Sequence, residues 1–363
     1  MQASESEAMQ QKASTRFLFR FAFYACLEAI AVLALNPQVS SVLVEQAKPT
    51  ADMSIYGHVA RVGWVVKDLD RVLDYWESLG LRNIRSRVEK FSDVTYKGRK
   101  THLSLKMASG EIGDVQVEWI QPIDGSSLYD EFLRKHADGV LSLGYAVASP
   151  AQFSEQIRYF ESHGVGIIQQ ISWRGSKGTG LLAYMDTAAG GGGLTMELIY
   201  DPDLPLARSA GQHPNEYPFN KIAHYAFVVH DVDKVEKFYE RLGFGGMPVK
   251  DNLSGDRIYQ GKAGEFRERL GFWQHGDRPF EWIQPLAGPS VEEEYLKAHS
   301  GGFHHLAFDV TDMDAAIKLL GDKGVRVSQS GSWNEPRSQG RWAYFNTENY
   351  GGVTIELIWR KPP

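Results

Sequence analysis

Two histidines and two glutamates in the C-terminal half of the chain have the side chains and the spacing of a metal site. His224 and Glu281 lie about as far apart in the chain as His305 and Glu356. Imidazole nitrogens and carboxylate oxygens suit Fe, Mn, Co, Ni or Zn and disfavour a thiol-seeking ion. A single histidine at a strand start is more often an ordinary polar residue, but an unpaired carboxylate buried in a strand is costly. The four residues are therefore candidates for holding one divalent cation.

The C-terminal half repeats the half that precedes it. Glu-Trp-Ile-Gln-Pro occurs at positions 118–122 and again at positions 281–285. The segment Asp-Leu-Asp at 68–70 returns at the same interval as Asp-Val-Asp at 231–233. A duplication on this scale indicates two related domains and not a short solenoid repeat.

The N-terminal copy is predicted to be free of metal. Its counterparts of the two histidines are Arg61 and Ser142, although it keeps Glu118 and Glu197. Arginine has no lone pair for a metal, and it could instead pair with either glutamate. His58 is no substitute, because it lies three residues from Arg61 and so on the opposite face of a strand. We interpret this half as a structural domain, with a second ligand site as the alternative.

A finer repeat divides the chain into four modules. Arg61, Ser142, His224 and His305 follow one another at nearly equal intervals, and each begins a β-rich run. A polar start signal and an amphipathic helix follow each run, and a glutamate-bearing strand ends each module. The predicted helices are 71–79, 152–160, 235–242 and 315–320, and the predicted last strands are 115–120, 194–200, 280–283 and 353–359. The fold class is therefore α+β, with four βαβββ modules paired into two domains.

The expected domain organisation has four parts. Residues 1–53 form an N-terminal extension, and 54–200 form the first domain, whose metal site is degenerate. Residues 201–219, which contain four prolines, form a linker. Residues 220–363 form the second domain, which carries the metal site.

The N-terminal extension has a composition of its own. Arg16 and Arg20 precede an apolar run over 21–35 that only Glu28 interrupts. This run is short for a membrane span, which needs about 20 apolar residues. We interpret residues 16–35 as a signal or a membrane tether, with a partly helical extension as the alternative. The protein is accordingly either cytoplasmic or exported and membrane-tethered.

The composition describes a folded chain and excludes several kinds of site. Of the 363 residues, 43% are apolar and 23% are charged, which is typical of a globular protein. The net charge of -6 gives no reason to expect nucleic-acid binding. Cys26 is the only cysteine, so the chain has no intramolecular disulfide and no cysteine-based zinc cage.

Three segments of the C-terminal half resemble a known superfamily. Glu-Trp-Ile-Gln-Pro at 281–285, Tyr-Leu-Lys-Ala-His at 295–299 and Phe-His-His-Leu-Ala-Phe at 303–308 are similar to the epimerase-type branch of the vicinal oxygen chelate superfamily. That superfamily includes glyoxalase I, methylmalonyl-CoA epimerase, extradiol dioxygenases and bleomycin-resistance proteins. The resemblance covers roughly residues 56–360 and implies two domains, each with two βαβββ modules around a cleft.

The resemblance also implies a ligand set. It assigns His224, Glu281, His305 and Glu356 to one divalent metal, whose identity among Fe, Mn, Co, Ni and Zn stays open. His304 is the adjacent alternative to His305, but neighbouring residues of a strand point in opposite directions. The register of the duplication selects His305.

The resemblance supports three functions. The leading hypothesis is a metal-dependent isomerase or lyase that acts on a small substrate with vicinal oxygens, removes a proton and stabilises an enolate. Glu281 or Glu356 would be the catalytic base. If Glu281 does not bind the metal, His224, His305 and Glu356 would form the facial triad of an extradiol-type or other Fe(II) dioxygenase. The third hypothesis is a non-catalytic small-molecule-binding protein of the resistance type.

Other side chains are weaker candidates. His136 and His299 are expected near helix ends, where a capping role explains them. Trp173 and Trp333 occur in equivalent Ser-Trp pairs, for which packing is the simpler explanation. The residues that could line the cleft are Arg267, Glu268, Arg269, Trp273 and Tyr344.

Overall fold

A computed structural model of the chain describes residues 51–204, 217–252, 256–335 and 338–362. All of these belong to one compact unit, Pro49–Pro363. The predicted signal or tether at 16–35 lies outside the described residues. Among the residues that are described, no helix is both long and apolar enough to span a bilayer.

The first half folds into a closed eight-stranded barrel with helices on its outside. Its strands are β1 (Arg61–Val65), β2 (Arg85–Tyr96), β3 (Arg99–Ile112), β4 (Val115–Asp124), β5 (Gly139–Ala146), β6 (Ile167–Arg174), β7 (Thr179–Met185) and β8 (Thr195–Tyr200). Its helices are α1 (Leu69–Leu79), α2 (Leu128–His136) and α3 (Pro150–Ser162). The strand order is β1-β4-β3-β2-β6-β7-β8-β5. Pairing of β2 with β6, from Asp93 to Tyr96, closes the barrel between its two modules.

The second half repeats this order but forms an open ten-stranded sheet. Its strands are β9 (Ile222–Val228), β10 (Val249–Asn252), β11 (Ile258–Tyr259), β12 (Lys262–Ala263), β13 (Arg267–His275), β14 (Arg278–Ala287), β15 (Gly302–Asp309), β16 (Val327–Glu335), β17 (Ser338–Phe345) and β18 (Thr354–Arg360). Its helices are α4 (Val232–Arg241), α5 (Val291–His299) and α6 (Met313–Asp322). The strand order is β10-β13-β14-β9-β15-β18-β17-β16-β11-β12.

The third module explains why the second sheet is open. Its β10 has only four residues, whereas the equivalent β2 has twelve. The space beside β16 is taken instead by the β11–β12 hairpin, in which Ile258 pairs with Ser330. Gln260 and Gly261 make the hairpin turn with positive φ angles of 49° and 76°, which suit a tight two-residue loop. The βαβββ pattern holds, with this hairpin as an addition.

The predicted helices form, and each begins two or three residues earlier than the sequence pattern indicated. In each of them the N-cap side chain accepts a hydrogen bond from the backbone N–H three residues later, which satisfies a free helix donor. The N-caps are Asp68 for α1, Ser149 for α3, Asp231 for α4 and Asp312 for α6. The α+β fold class, with four modules in two paired units, is thereby confirmed.

The two halves share one core on the helix side of their sheets. Large buried side chains from both halves, including Trp64 and Trp282, belong to a single apolar cluster. Trp64 Nε1 donates to the Gly351 carbonyl at 2.5 Å, and Trp282 Nε1 donates to the Gly191 carbonyl at 3.2 Å. These reciprocal contacts bring the glycine-rich turn of each half against the other half.

Candidate metal centre

The four predicted ligands lie on four neighbouring strands of the open sheet. His224 is on β9, Glu281 on β14, His305 on β15 and Glu356 on β18, and the sheet order is β14-β9-β15-β18. One donor atom from each residue lies within 4.8 Å of the other three, and all four residues are buried. Alternation along the strands points all four side chains to the concave face.

The distances between donor atoms suit a single cation. His224 Nε2 is 3.1 Å from His305 Nε2, from Glu281 Oε2 and from Glu356 Oε2. His305 Nε2 is 3.2 Å from Glu356 Oε2 and 3.9 Å from Glu281 Oε2. A cation about 2.1 Å from each donor would separate neighbouring donors by about 3.0 Å and opposite donors by about 4.2 Å in octahedral geometry.

One buried oxygen in the cluster lacks a hydrogen bond. Glu356 Oε2 is close to both imidazoles, yet within the described chain it has no partner with hydrogen-bond geometry. A buried acceptor without a partner carries a desolvation cost. Glu356 Oε2 and both Nε2 atoms converge within 3.1–3.2 Å of one another, as donor atoms do around a metal. These residues therefore fit a divalent cation.

The pKa shifts within the cluster also favour a bound cation. Burial lowers the pKa of His224, but the carboxylates of Glu281 and Glu356 outweigh burial and raise that pKa to about 10. Burial raises the pKa of Glu356, but the His305 and His224 imidazoles outweigh it and hold the pKa below its ordinary value. A proton on His224 thus partly neutralises the two acids, and a divalent cation can replace that proton.

His304 orients a predicted ligand and is not grouped with the four donors. A bulge in β15 between Phe303 and His305 accommodates it. His304 Nδ1 lies 2.9 Å from His305 Nδ1. Burial and the nearby His305 lower the pKa of His304, so its neutral Nδ1 can accept the N–H of His305. We assign that tautomer from the network, and it leaves the Nε2 lone pair of His305 free for the metal position.

The first barrel presents a guanidinium between its equivalent glutamates. Arg61 donates from Nη1 to Glu118 Oε2 at 2.5 Å and from Nη2 to Glu197 Oε1. Arg87 Nη2 donates to Glu118 Oε1, and Ser142 Oγ donates to Glu197 Oε2, both at 2.7 Å. All four carboxylate oxygens therefore have donors. The expected pairing of Arg61 with the glutamates is confirmed, and Arg61 contacts both of them.

A cavity of about 300 Å³ opens onto the predicted metal ligands. Its lining combines apolar and aromatic side chains with polar and charged ones, and it includes Lys250 on β10 and Glu335 on β16, whose Nζ and Oε1 atoms lie 3.4 Å apart. The lining side chains that enclose the cluster are Leu270, Phe272, Ile283, Trp333, Trp342, Tyr344 and Ile358. The cavity could hold a compact substrate against His224, Glu281 and Glu356.

The predicted cleft residues divide into two groups. Glu268 and Tyr344 line the cavity, whereas Arg269 pairs with acidic side chains outside it and Trp273 packs in the shared core. Arg267 is exposed and does not line the cavity.

The other weak candidates also need correction. The packing role predicted for Trp333 is incomplete, because its side chain lines the cavity of the second sheet. Trp173 lines a cavity of about 940 Å³ in the first barrel. His136 and His299 end α2 and α5 as expected, but each ring bonds the backbone of the other histidine and so does not cap its own helix.

Two buried acids lie near the cluster: Glu268, which the sequence predicts as a possible cleft residue, and Glu292, which it does not. Glu268 Oε2 accepts from Arg257 Nη1 at 3.2 Å, and both Glu292 oxygens lie 3.0–3.1 Å from Gln329 Nε2. Burial and the charge of Glu292 raise the pKa of Glu268, although Arg257 opposes the shift. The duplication aligns each of these acids with an apolar or aromatic residue of the first half, and this difference is visible in the sequence.

Comparison with known proteins agrees with this architecture. Residues 60–182 and 223–345 each match the family model described as the glyoxalase/bleomycin resistance protein/dioxygenase superfamily. Mitochondrial methylmalonyl-CoA epimerase from Bos taurus is 26% identical over 159 residues, which are 41% of this chain and 81% of that protein.

A solved structure shows the same fold at lower identity, and a second one is more distantly similar. A triple mutant of 4-hydroxymandelate synthase from Streptomyces coelicolor superposes with a TM-score of 0.53 and 16% identity, over 84% of this chain and 93% of the synthase. A Mn(II)-bound glyoxalase from Novosphingobium aromaticivorans has a TM-score of 0.45 and 17% identity, over 84% and 82% of the two chains. The two family matches span most of the chain, and the chain belongs to the glyoxalase/bleomycin resistance protein/dioxygenase superfamily.

Proposed function

We propose that this protein is an enzyme that uses one divalent metal to act on a small substrate with two neighbouring oxygens. The metal would lie in the open ten-stranded sheet of the second half, which we call the second barrel. His224, Glu281, His305 and Glu356 would hold the metal. The observation that carries the proposal is the convergence of four buried donor atoms at the wall of a solvent-accessible cavity. Four ionisable groups buried together without a ligand would be a costly arrangement.

The reaction that we favour is an isomerisation or lyase step that begins with proton removal beside a carbonyl group. A bound divalent cation would act as a Lewis acid toward the negative charge that develops on the substrate oxygen. Aromatic and aliphatic side chains line part of the cavity and lower the local dielectric constant there, which strengthens electrostatic interactions with a bound substrate. The similarity of one segment to a methylmalonyl-CoA epimerase supports this type of chemistry.

Glu281 is the better of the two candidate bases. Its Oε2 is 3.9 Å from His305 Nε2, whereas Glu356 Oε2 is within 3.2 Å of both imidazoles. The looser carboxylate can exchange a proton with a substrate in the cavity while the tighter one holds the metal position. Both glutamates line the cavity, so the distances to the imidazoles distinguish them.

The second candidate function is a non-haem Fe(II) dioxygenase. The donor atoms of His224, His305 and Glu356 form a nearly equilateral triangle with sides of 3.1–3.2 Å. Two histidines and one carboxylate on one face are the ligand set of many Fe(II) oxygenases, which leave the opposite positions open. In this case Glu281 would not bind the metal.

Metal analysis of matched variants tests the shared part of both functions. Purified wild-type protein, reconstituted with Fe(II), Mn(II), Co(II), Ni(II) or Zn(II) and desalted, should retain about one equivalent of at least one of these ions. His305→Ala should lose that metal, because one of four ligands is removed, and Ser142→Ala at the equivalent position should keep it. Less than a tenth of an equivalent in the wild type, or equal metal in both variants, would refute the proposal.

Two activity measurements separate the reactions. Metal-dependent exchange of the α-hydrogen of methylmalonyl-CoA with D2O, lost in Glu281→Gln, would support the isomerase reaction. Oxygen uptake that requires Fe(II) and an added catechol, and survives in Glu281→Gln, would support the dioxygenase.

A further inference from the structure

One buried acid in the cavity is explained neither by metal binding nor by the fold. Glu268 on β13 is 5% exposed and lines the same cavity as His224, Glu281 and Glu356. Phe272 pairs with Glu281 across the strands, and Glu268 is two inward-facing positions further along. Its backbone therefore lies about 13 Å along the strand from Phe272, the residue that pairs with the predicted ligand Glu281.

The contacts of Glu268 leave one oxygen available. Arg257 Nη1 donates to Oε2 at 3.2 Å, and the guanidinium also stacks over the Phe266 ring at 4.2 Å. Arg257 does not line the cavity, so it contacts the Glu268 carboxylate from the side that faces away from the cavity. Within the described residues, Oε1 of Glu268 has no hydrogen-bond partner.

The first barrel shows that the fold does not require an acid here. Leu105 on β3 pairs with Pro122 just as Glu268 pairs with Pro285, and the duplication relates both members of the two pairs by the same interval. Leu105 is also buried and faces the cavity of its own barrel. Because a buried ion pair is usually no more stabilising than apolar residues of similar size, the carboxylate in the second barrel needs another explanation.

We propose that Glu268 accepts a hydrogen bond from a hydroxyl group at the end of the substrate remote from its two metal-binding oxygens. The inference rests on the proposed function, since it places those oxygens at the four ligands. The substrate class is then a compact chelating molecule with a distal hydroxyl and an apolar middle, which fits the aromatic and aliphatic part of the lining. A hydroxyl group can hydrogen-bond to this acid in either of its protonation states.

A matched pair of probes tests this with protein loaded with Co(II), or with whichever of the five ions it retains. 4-Ethylcatechol and 4-(2-hydroxyethyl)catechol share the vicinal oxygens and differ by the distal hydroxyl. Titration calorimetry should show that the wild type binds the hydroxylated probe about fivefold more tightly, which is the usual size of one net hydrogen bond. Glu268→Leu should lose this preference without losing metal, and Glu268→Gln, which keeps an acceptor oxygen, should retain part of it.

The control is Glu240→Gln, an exposed carboxylate on α4, which should keep the full preference. Equal affinity of the wild type for both probes would overturn the inference about Glu268, and so would a preference that survives in Glu268→Leu. If the metal-loaded wild type binds neither catechol, the inference is also wrong as stated. Failure of the proposed function is distinct, because it appears earlier as wild-type protein that retains no metal.

Discussion

The two barrels carry glutamates at equivalent strand positions but neutralise them with different cations. In the first barrel, Arg61 lies between Glu118 and Glu197 and donates to both. In the second barrel, Glu281 and Glu356 face two imidazoles, and no arginine or lysine of the described chain contacts either glutamate. The first barrel thus satisfies its acids permanently, whereas the second can exchange a proton for a metal ion.

The barrels differ in access as well as in charge. Pairing of β2 with β6 closes the first barrel, while the short β10 leaves the second sheet open beside its metal cluster. The Arg61 guanidinium is part of the chain, whereas a metal ion and a substrate must enter their site from solvent. The comparison supports the proposal of one structural barrel and one functional barrel, and four experiments follow from it.

The largest expected effect is the conversion of the first barrel into a second metal site. The double substitution Arg61→His and Ser142→His restores the ligand types at both differing positions, while Glu118 and Glu197 are already present. We expect reconstituted protein to bind two equivalents of metal instead of one, measured by elemental analysis. A folded double variant that still binds one equivalent would show that the backbone of the first barrel also prevents binding.

Removal of the buried guanidinium should strongly destabilise the first barrel. Arg61→Met leaves Glu118 and Glu197 without their shared cation, and we expect the free energy of unfolding to fall by about 3–5 kcal/mol. Arg87→Met is the control, because its side chain is 39% exposed and its ion pair should contribute about 1 kcal/mol or less. Urea denaturation measures both, and equal losses would mean that Arg61 is not the essential cation.

Metal should stabilise the second barrel in the way that Arg61 stabilises the first. At a free metal concentration 100 times the Kd, the free energy of unfolding should rise by about 2.7 kcal/mol over protein in EDTA. His305→Ala should show no such response, and Ser142→Ala should show all of it. Thermal denaturation with and without metal checks this, and a response that is equal in the two variants would contradict it.

The smallest effect is the pH dependence of the metal-free protein. The pKa of His224 is raised from 6.5 to about 10 in the folded state, so its protonated form stabilises the fold fully below about pH 6.5. This contribution is lost as the pH rises from about 6.5 through 10, so the free energy of unfolding of the metal-free protein should fall between pH 7 and 10. His224→Gln should lack that slope in urea denaturation, and an unchanged slope would assign the effect to another group.

Much of the fold could be predicted because it is encoded in repeated local patterns. The caps Asp68, Asp231 and Asp312, and the amphipathic helices after them, are visible in short stretches of sequence. The predicted helix starts lie two or three residues after the observed ones, because the apolar pattern becomes clear only after the first turn. The opening of the second sheet was not predicted, since it depends on the length of β10 and on which strand borders β16.

The site was predictable only in part. The duplication identified His224 and His305 by comparison with Arg61 and Ser142, and it required no knowledge of strand pairing. The contact of His304 with His305 was missed, because a bulge in β15 overrides the simple alternation of side chains. The cavity position of Trp333 was missed for a related reason, since one indole can serve packing and line a cavity.

The amino-acid sequence alone is enough to define the number of modules, the glutamates that they share and the two positions at which the halves differ. These properties follow from residue types and intervals along one chain, and the duplication supplies the register. The tertiary structure was needed to show that four donors from four strands converge, that one sheet closes into a barrel, and that Glu268 lines the same cavity as three of the predicted metal ligands. Such properties depend on strand order, strand length and the curvature of the sheet, which bring together residues that are distant in the chain.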